Sequence, residues 1–121
     1  MSNTIVWFEI PVNDFERAKK FYEELLGKEL QVDEMGGAKM GFFKMEGEGV
    51  GGAICKGEGY EPTNKGTMVY FNCGDDLQPF QEKTEPAGGK VIVPKTLIME
   101  EIGYFCLFFD TEGNKVALWS K

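Results

Sequence analysis

The chain has 121 residues, a net charge of −7 and no histidine. That length fits one domain, and a domain of this size buries roughly two thirds of the surface its unfolded chain exposes. The acidic balance argues against nucleic acid as a partner, and the missing histidine removes the usual neutral-pH base and the commonest metal ligand.

No apolar run approaches the roughly 18–20 residues needed to span a bilayer, so no membrane partner is expected. Met1 to Thr4 carries no basic region followed by an apolar stretch, and Cys55, Cys73 and Cys106 are odd in number and far apart. These features predict a reducing, cytoplasmic setting without a disulfide framework.

Ile5 to Val12 alternates and is rich in β-formers, which predicts a strand. Asn13 and Glu16 have capping-box spacing, and Phe15, Ala18, Phe21, Tyr22 and Leu25 form a helical apolar stripe ended by Gly27. Leu30 to Asp33, Lys39 to Met45 and Gly51 to Lys56 read as short strands. Gly57 to Lys65 has the composition of a linker.

After it the pattern restarts. Thr67 to Cys73 is a predicted strand, and Asp75 and Gln78 repeat the cap before a second helix that ends at Ala87-Gly88-Gly89. Lys90 to Val93, Phe105 to Phe109 and Lys115 to Trp119 complete the strands. Phe42 to Val50 and Phe108 to Val116 both read FFxxEGxxV, which suggests an internal duplication. The expected fold class is α+β. Two tandem βαβββ modules, about 4–57 and 67–121 with a linker at 58–66, form curved mixed sheets around a cavity, with helices on the outer faces.

Ile10 to Gly27 (IPVNDFERAKKFYEELLG) and Gly103 to Ser120 (GYFCLFFDTEGNKVALWS) resemble the opening and closing motifs of the vicinal oxygen chelate superfamily. That superfamily includes glyoxalases, extradiol dioxygenases and bleomycin-resistance proteins. The stretch from Trp7 is most similar to a small bacterial glyoxalase-like branch. The resemblance implies a single glyoxalase-like domain over residues 1–121 and a homodimer, often with strands or halves exchanged. Metal-dependent members place ligands on the first and last strand of each half. Here those positions carry Trp7; Ala53 or Gly51; Met68 or Val69; and Ala117. None of these side chains binds a hard or borderline cation, so no metal and no cofactor are expected.

Strand alternation places Val6, Phe8, Ile10 and Val12 under the helices and Ile5, Trp7 and Glu9 towards the cavity. The same rule sends Met68, Tyr70, Asn72, Ala117 and Trp119 inward, and Val69, Phe71, Cys73, Val116 and Leu118 into the core. The predicted ligand-binding set is therefore Trp7, Glu9, Met68, Tyr70, Asn72, Ala117 and Trp119. Glu9 is a carboxylate among aromatics, costly to bury unless paired. It either pairs structurally, anchors a ligand, or acts as a base with a raised pKa. Glu100 and Glu101 lie where a lid could form.

Three readings stay open. One is a metal-free protein that captures a small aromatic or cationic molecule. Another is a metal-independent lyase or isomerase using Glu9 with Tyr70. The last is a dimeric structural or regulatory module with a filled cavity.

Overall fold

A computed structural model of the chain describes residues 3–44 and 49–121. The elements are β1 (Trp7–Pro11), α1 (Phe15–Leu26), β2 (Gln31–Met35), β3 (Ala38–Phe43) and β4 (Gly51–Lys56), then β5 (Tyr70–Asn72), α2 (Gln78–Thr84), β6 (Lys90–Met99), β7 (Gly103–Phe109) and β8 (Lys115–Ser120). They form two four-stranded sheets, ordered β1-β4-β3-β2 and β5-β8-β7-β6. In each sheet the first strand runs parallel to the last of its half, and the other pairs are antiparallel. The tandem βαβββ reading therefore holds, and the sheets do not close into a barrel.

The core is shared by both halves. Phe21 and Tyr22 of α1 are fully buried, and they meet Phe108 of β7 and Phe71 of β5 at ring-centroid distances of 5.9 and 5.8 Å. The stripe expected for α1 is the buried one: Phe15, Ala18, Phe21, Tyr22 and Leu25. Gly27 ends the helix at φ 71°, a left-handed conformation that a Cβ would disfavour.

Several expectations need correction. Asp14, not Asn13, caps α1, accepting from the Arg17 amide at 3.1 Å. The Asn13 amide instead donates to Glu112 across the molecule. α2 has Leu77 at its N-cap with no side-chain cap bond, while Asp76 accepts from the Gln78 amide. Val6 is exposed rather than under the helices, because the β1–β4 ladder begins at Trp7. The described β5 is only Tyr70–Asn72, shorter than predicted. β6 is longer, running through Pro94; it is an edge strand whose register shifts between Val93 and Thr96, where a proline removes no ladder bond.

The repeated FFxxEGxxV motif is out of register as a structural repeat. The Gly51 amide donates to the Val6 carbonyl, and the Ala117 amide donates to that of Val69. Trp7 thus corresponds to Tyr70, and Gly51 to Ala117. Carried across the sheets, the same ladders make Phe42 the counterpart of Phe105, not of Phe108. The second hairpin is three residues longer, an odd offset, which puts the two motif copies on opposite faces. Phe108 accordingly lies in the core, while Phe42 sits on the opposite face. Motif residues 45–48 lie outside the described residues.

A polar junction ties the halves together. The Tyr22 hydroxyl donates to buried Asp110 at 2.6 Å, and Asp110 also accepts from the amides of Glu112 and Asn114. Asn114 donates to the Pro11 carbonyl and accepts from the Thr63 amide. Glu112 accepts from the amides of Asn13 and Asp14 and from the Arg17 guanidinium. Tyr22→Phe leaves Asp110 short of one donor, and should lower unfolding stability by about 1–3 kcal/mol in urea titrations.

The two carboxyls of the junction titrate with opposite signs. Burial pushes Glu112 up, but Arg17 and the Asp14 and Asn13 amides outweigh it and hold its pKa below the ordinary 4.5. A carboxyl held low stabilises the fold above its unfolded pKa, and that contribution fades as pH falls through the folded value. Asp110 is raised, by burial first, so its contribution is largest at low pH and is lost as pH rises. Glu112→Gln should therefore be less stable than the parent at pH 7. The gap should narrow when unfolding is repeated towards pH 3.

Candidate functional site

The two sheets present one free face each, opposite the helices. On the first sheet this face carries Trp7 and Glu9 of β1, Gly51, Ala53 and Cys55 of β4, and Met40 and Phe42 of β3. Parallel pairing sets Trp7 beside Gly51 and Glu9 beside Ala53, so the two large side chains stand next to residues with little or no side chain. Ala53 and Cys55 are nonetheless fully buried, with Phe42 and Tyr60 packed against them.

Glu9 lies on β1, an edge strand of this sheet. The Trp7 indole Nε1–H donates to Glu9 Oε2 at 3.2 Å, and the Tyr60 hydroxyl donates to Oε1 at 2.9 Å. Phe42 faces Trp7 with centroids 5.9 Å apart and planes tilted by 53°. Tyr60 packs on the cluster of Met40, Ala53 and Cys55. The Glu9 carboxylate also leaves its mark on its neighbours. Chiefly through its hydrogen bond, Tyr60 is raised to about 12. Cys55 rises to about 11, mainly by burial and then by the charge of Glu9.

Tyr60 and Phe42 were not among the expected site residues. Tyr60 lies in the segment predicted as a linker, and its role depends on a fold-back no local pattern encodes. Phe42 was hidden by the false register of the FF motif.

The second sheet is built on the same plan and filled differently. Glu9 corresponds to Asn72, and Ala53 to Trp119. Asn72 turns back to accept from the Gly74 amide, and the Trp119 indole donates to the Ile102 carbonyl at 2.9 Å. Trp119 thus places an indole where the first sheet has only the methyl group of Ala53. Glu100 and Glu101 form the exposed β6–β7 turn just before that carbonyl.

Between the edges of β1 and β5 runs an open cleft of about 850 Å³, lined among others by Trp7, Glu9, Met68, Tyr70 and Asn72. It brings together five of the seven expected ligand-binding residues. Ala117 and Trp119 do not line it. Ala117 is buried beside Tyr70 on the neighbouring strand, and Trp119 is half-buried beside Asn72. Trp7 and Tyr70 are 44% and 47% exposed, so their rings are open to a ligand.

A family model described as the glyoxalase/bleomycin resistance protein/dioxygenase superfamily matches residues 4–118. The chain belongs to this superfamily. A glyoxylase-like domain-containing protein from Didymella fabae is 33% identical over 118 residues, covering 93% of this chain and 90% of that one. Among solved structures, a glyoxalase/bleomycin resistance protein from Albidiferax ferrireducens T118 superposes with a TM-score of 0.72 at 18% identity, covering 98% of this chain and all (100%) of that one. TnmS3, an antibiotic-binding protein from Streptomyces sp. CB03234, gives 0.69 at 25% identity, covering 99% and 98%. Glyoxalase I from Zea mays gives 0.73 at 18% identity; this chain is covered to 97% and spans 44% of that chain.

Within the superfamily fold, the positions tied to metal binding by resemblance are Trp7, Gly51, Tyr70 and Ala117 once the ladders are followed. An indole N–H, a bare backbone, a phenol and a methyl group do not fit a divalent cation. Among the described residues no group of three or more His, Cys, Asp or Glu gathers.

Removing the Glu9 charge should release Tyr60. In Glu9→Gln, the phenol that titrates near 12 should move back towards 10. Ultraviolet titration of this variant against Glu9→Gln/Tyr60→Phe would isolate that one tyrosine.

Proposed function

We propose that the protein binds a small organic molecule, without a metal, in the cleft between β1 and β5. The observation that carries this reading is the cleft itself: about 850 Å³, with exposed Trp7 and Tyr70 on its two walls and Glu9 at one side. Ligand sites are concave and mostly apolar with a few placed polar groups, and this lining has that make-up. The fold shared with an antibiotic-binding protein supports the same reading.

A lyase or isomerase using Glu9 with Tyr70 has less behind it, because the hydrogen-bond partners of Glu9 are Trp7 and Tyr60. By family resemblance the binding unit is a homodimer of single-domain chains. Exposed Leu97, Ile98, Met99 and Ile102 offer apolar surface that a second copy would cover. The three free cysteines suit the reducing cytoplasm, and no helix of the described residues is long and apolar enough to cross a membrane.

A thermal-shift screen of small aromatic compounds tests the binding reading. A specific ligand at a hundredfold excess over its Kd should stabilise the fold by about 2.7 kcal/mol. Tyr70→Ala should lose that shift. If no compound raises Tm, or if Tyr70→Ala responds like the parent, the cleft is not a binding site.

A further inference from the structure

Most carboxylates that the structure holds in place are matched by a cation or by backbone amides. Glu112 has Arg17, Glu23 has Lys19, Glu16 has Lys39 and Asp76 has Lys95. Glu9 differs. Its two oxygens are each held by a neutral donor, the Trp7 indole and the Tyr60 hydroxyl, and among the described residues no Lys or Arg pairs with it. Such donors fix the carboxylate in place and leave its negative charge uncompensated.

Three rings stand near Glu9: Trp7, which packs on Phe42, and Tyr60, which with Phe42 packs against buried Ala53. Aromatic faces attract cations through their quadrupoles, and aromatic cages are a recurrent device for quaternary ammonium groups. A carboxylate beside such faces adds a Coulombic term that a neutral ligand does not feel. The net charge of −7 favours the approach of a cation to this face. In the second half the positions of Glu9 and Ala53 carry Asn72 and Trp119, so the carboxylate is not repeated there.

We infer that Trp7, Phe42, Tyr60 and Glu9 form a recognition subsite for an organic ammonium group, preferring an alkylated or quaternary one. The subsite deepens the cleft-binding reading by supplying the charge-selective end of the same cleft, of which Trp7 and Glu9 are walls. A primary ammonium would have to donate hydrogen bonds to carboxylate oxygens already engaged by Trp7 and Tyr60. A methylated ammonium needs no hydrogen bonds and gains from all three rings.

The probes are choline and its neutral isostere 3,3-dimethylbutan-1-ol, titrated into uniformly ¹⁵N-labelled protein while the Trp7 indole N–H resonance is followed. Choline should shift that resonance saturably in the millimolar range, and the neutral alcohol should bind at least about tenfold more weakly. In Glu9→Gln the preference should disappear; the Trp7 indole and Tyr60 signals move in the unliganded variant because both bond to Glu9, while amides remote from β1 should overlay those of the parent and report an intact fold. No saturable shift with choline, equal binding of the two probes, or an unchanged preference in Glu9→Gln would each overturn the subsite.

A third titration with indole separates the two readings. If indole moves the Tyr70 and Met68 signals saturably but choline moves nothing, the ammonium subsite fails and the cleft stands. If choline binds with the expected preference and no aromatic probe reaches Tyr70, the subsite stands without the wider cleft.

Discussion

The buried carboxylate of Asp110 sits where everything else in the molecule is referenced. It accepts from Tyr22 on α1 and from the turn that carries Glu112 and Asn114. Through those two residues the turn grips the end of β1 and the start of α1. A charge in the interior is tolerable only when its lone pairs are met, and here they are met by groups from both halves. Breaking one bond therefore costs more than that bond, because the rest of the cluster is left in low dielectric. The arrangement sets the position of β1 relative to β8, and with it the positions of Trp7 and Glu9.

Once the halves are locked, function follows from how their free faces differ. The ladders make the sheets equivalent strand by strand, yet the equivalent positions hold unlike side chains. Ala53 is covered by Phe42 and Tyr60 where the second sheet has Trp119, and Glu9 projects where Asn72 folds back onto Gly74. A duplicated unit can diverge in this way because one copy suffices for packing while the other is free to carry polar groups. The result is an asymmetric surface: one half closed by its own indole, the other presenting a carboxylate among rings.

Much of this was legible in the sequence. The α1 stripe, the β4 limits at Gly51 and Lys56, and the outward placing of Trp7, Glu9 and Tyr70 all follow from period and alternation. What was not legible depends on contacts between distant segments. Asn13 looked like a cap because its spacing to Glu16 is right, but Glu112, 99 residues away, takes its amide. The FF motif suggested a register that a three-residue difference in hairpin length overturns. Tyr60 looked like linker because tyrosine in a Gly- and Pro-containing stretch has no period to betray it. β6 looked short because Pro94 reads as a breaker, and only its place at a sheet edge makes it harmless.

The reading rests on an exposed Glu9 on the edge strand β1, held by neutral donors beside an open cleft, where the second half has Asn72 folded back onto its own turn. A crystal structure of the protein as purified tests it most directly. The expected result is Glu9 held by the Trp7 indole and the Tyr60 hydroxyl, open space or bound density in the cleft between Trp7 and Tyr70, and Trp119 hydrogen-bonded to Ile102. A lysine or arginine seated on Glu9, or the cleft between β1 and β5 filled by the protein's own side chains, would contradict it.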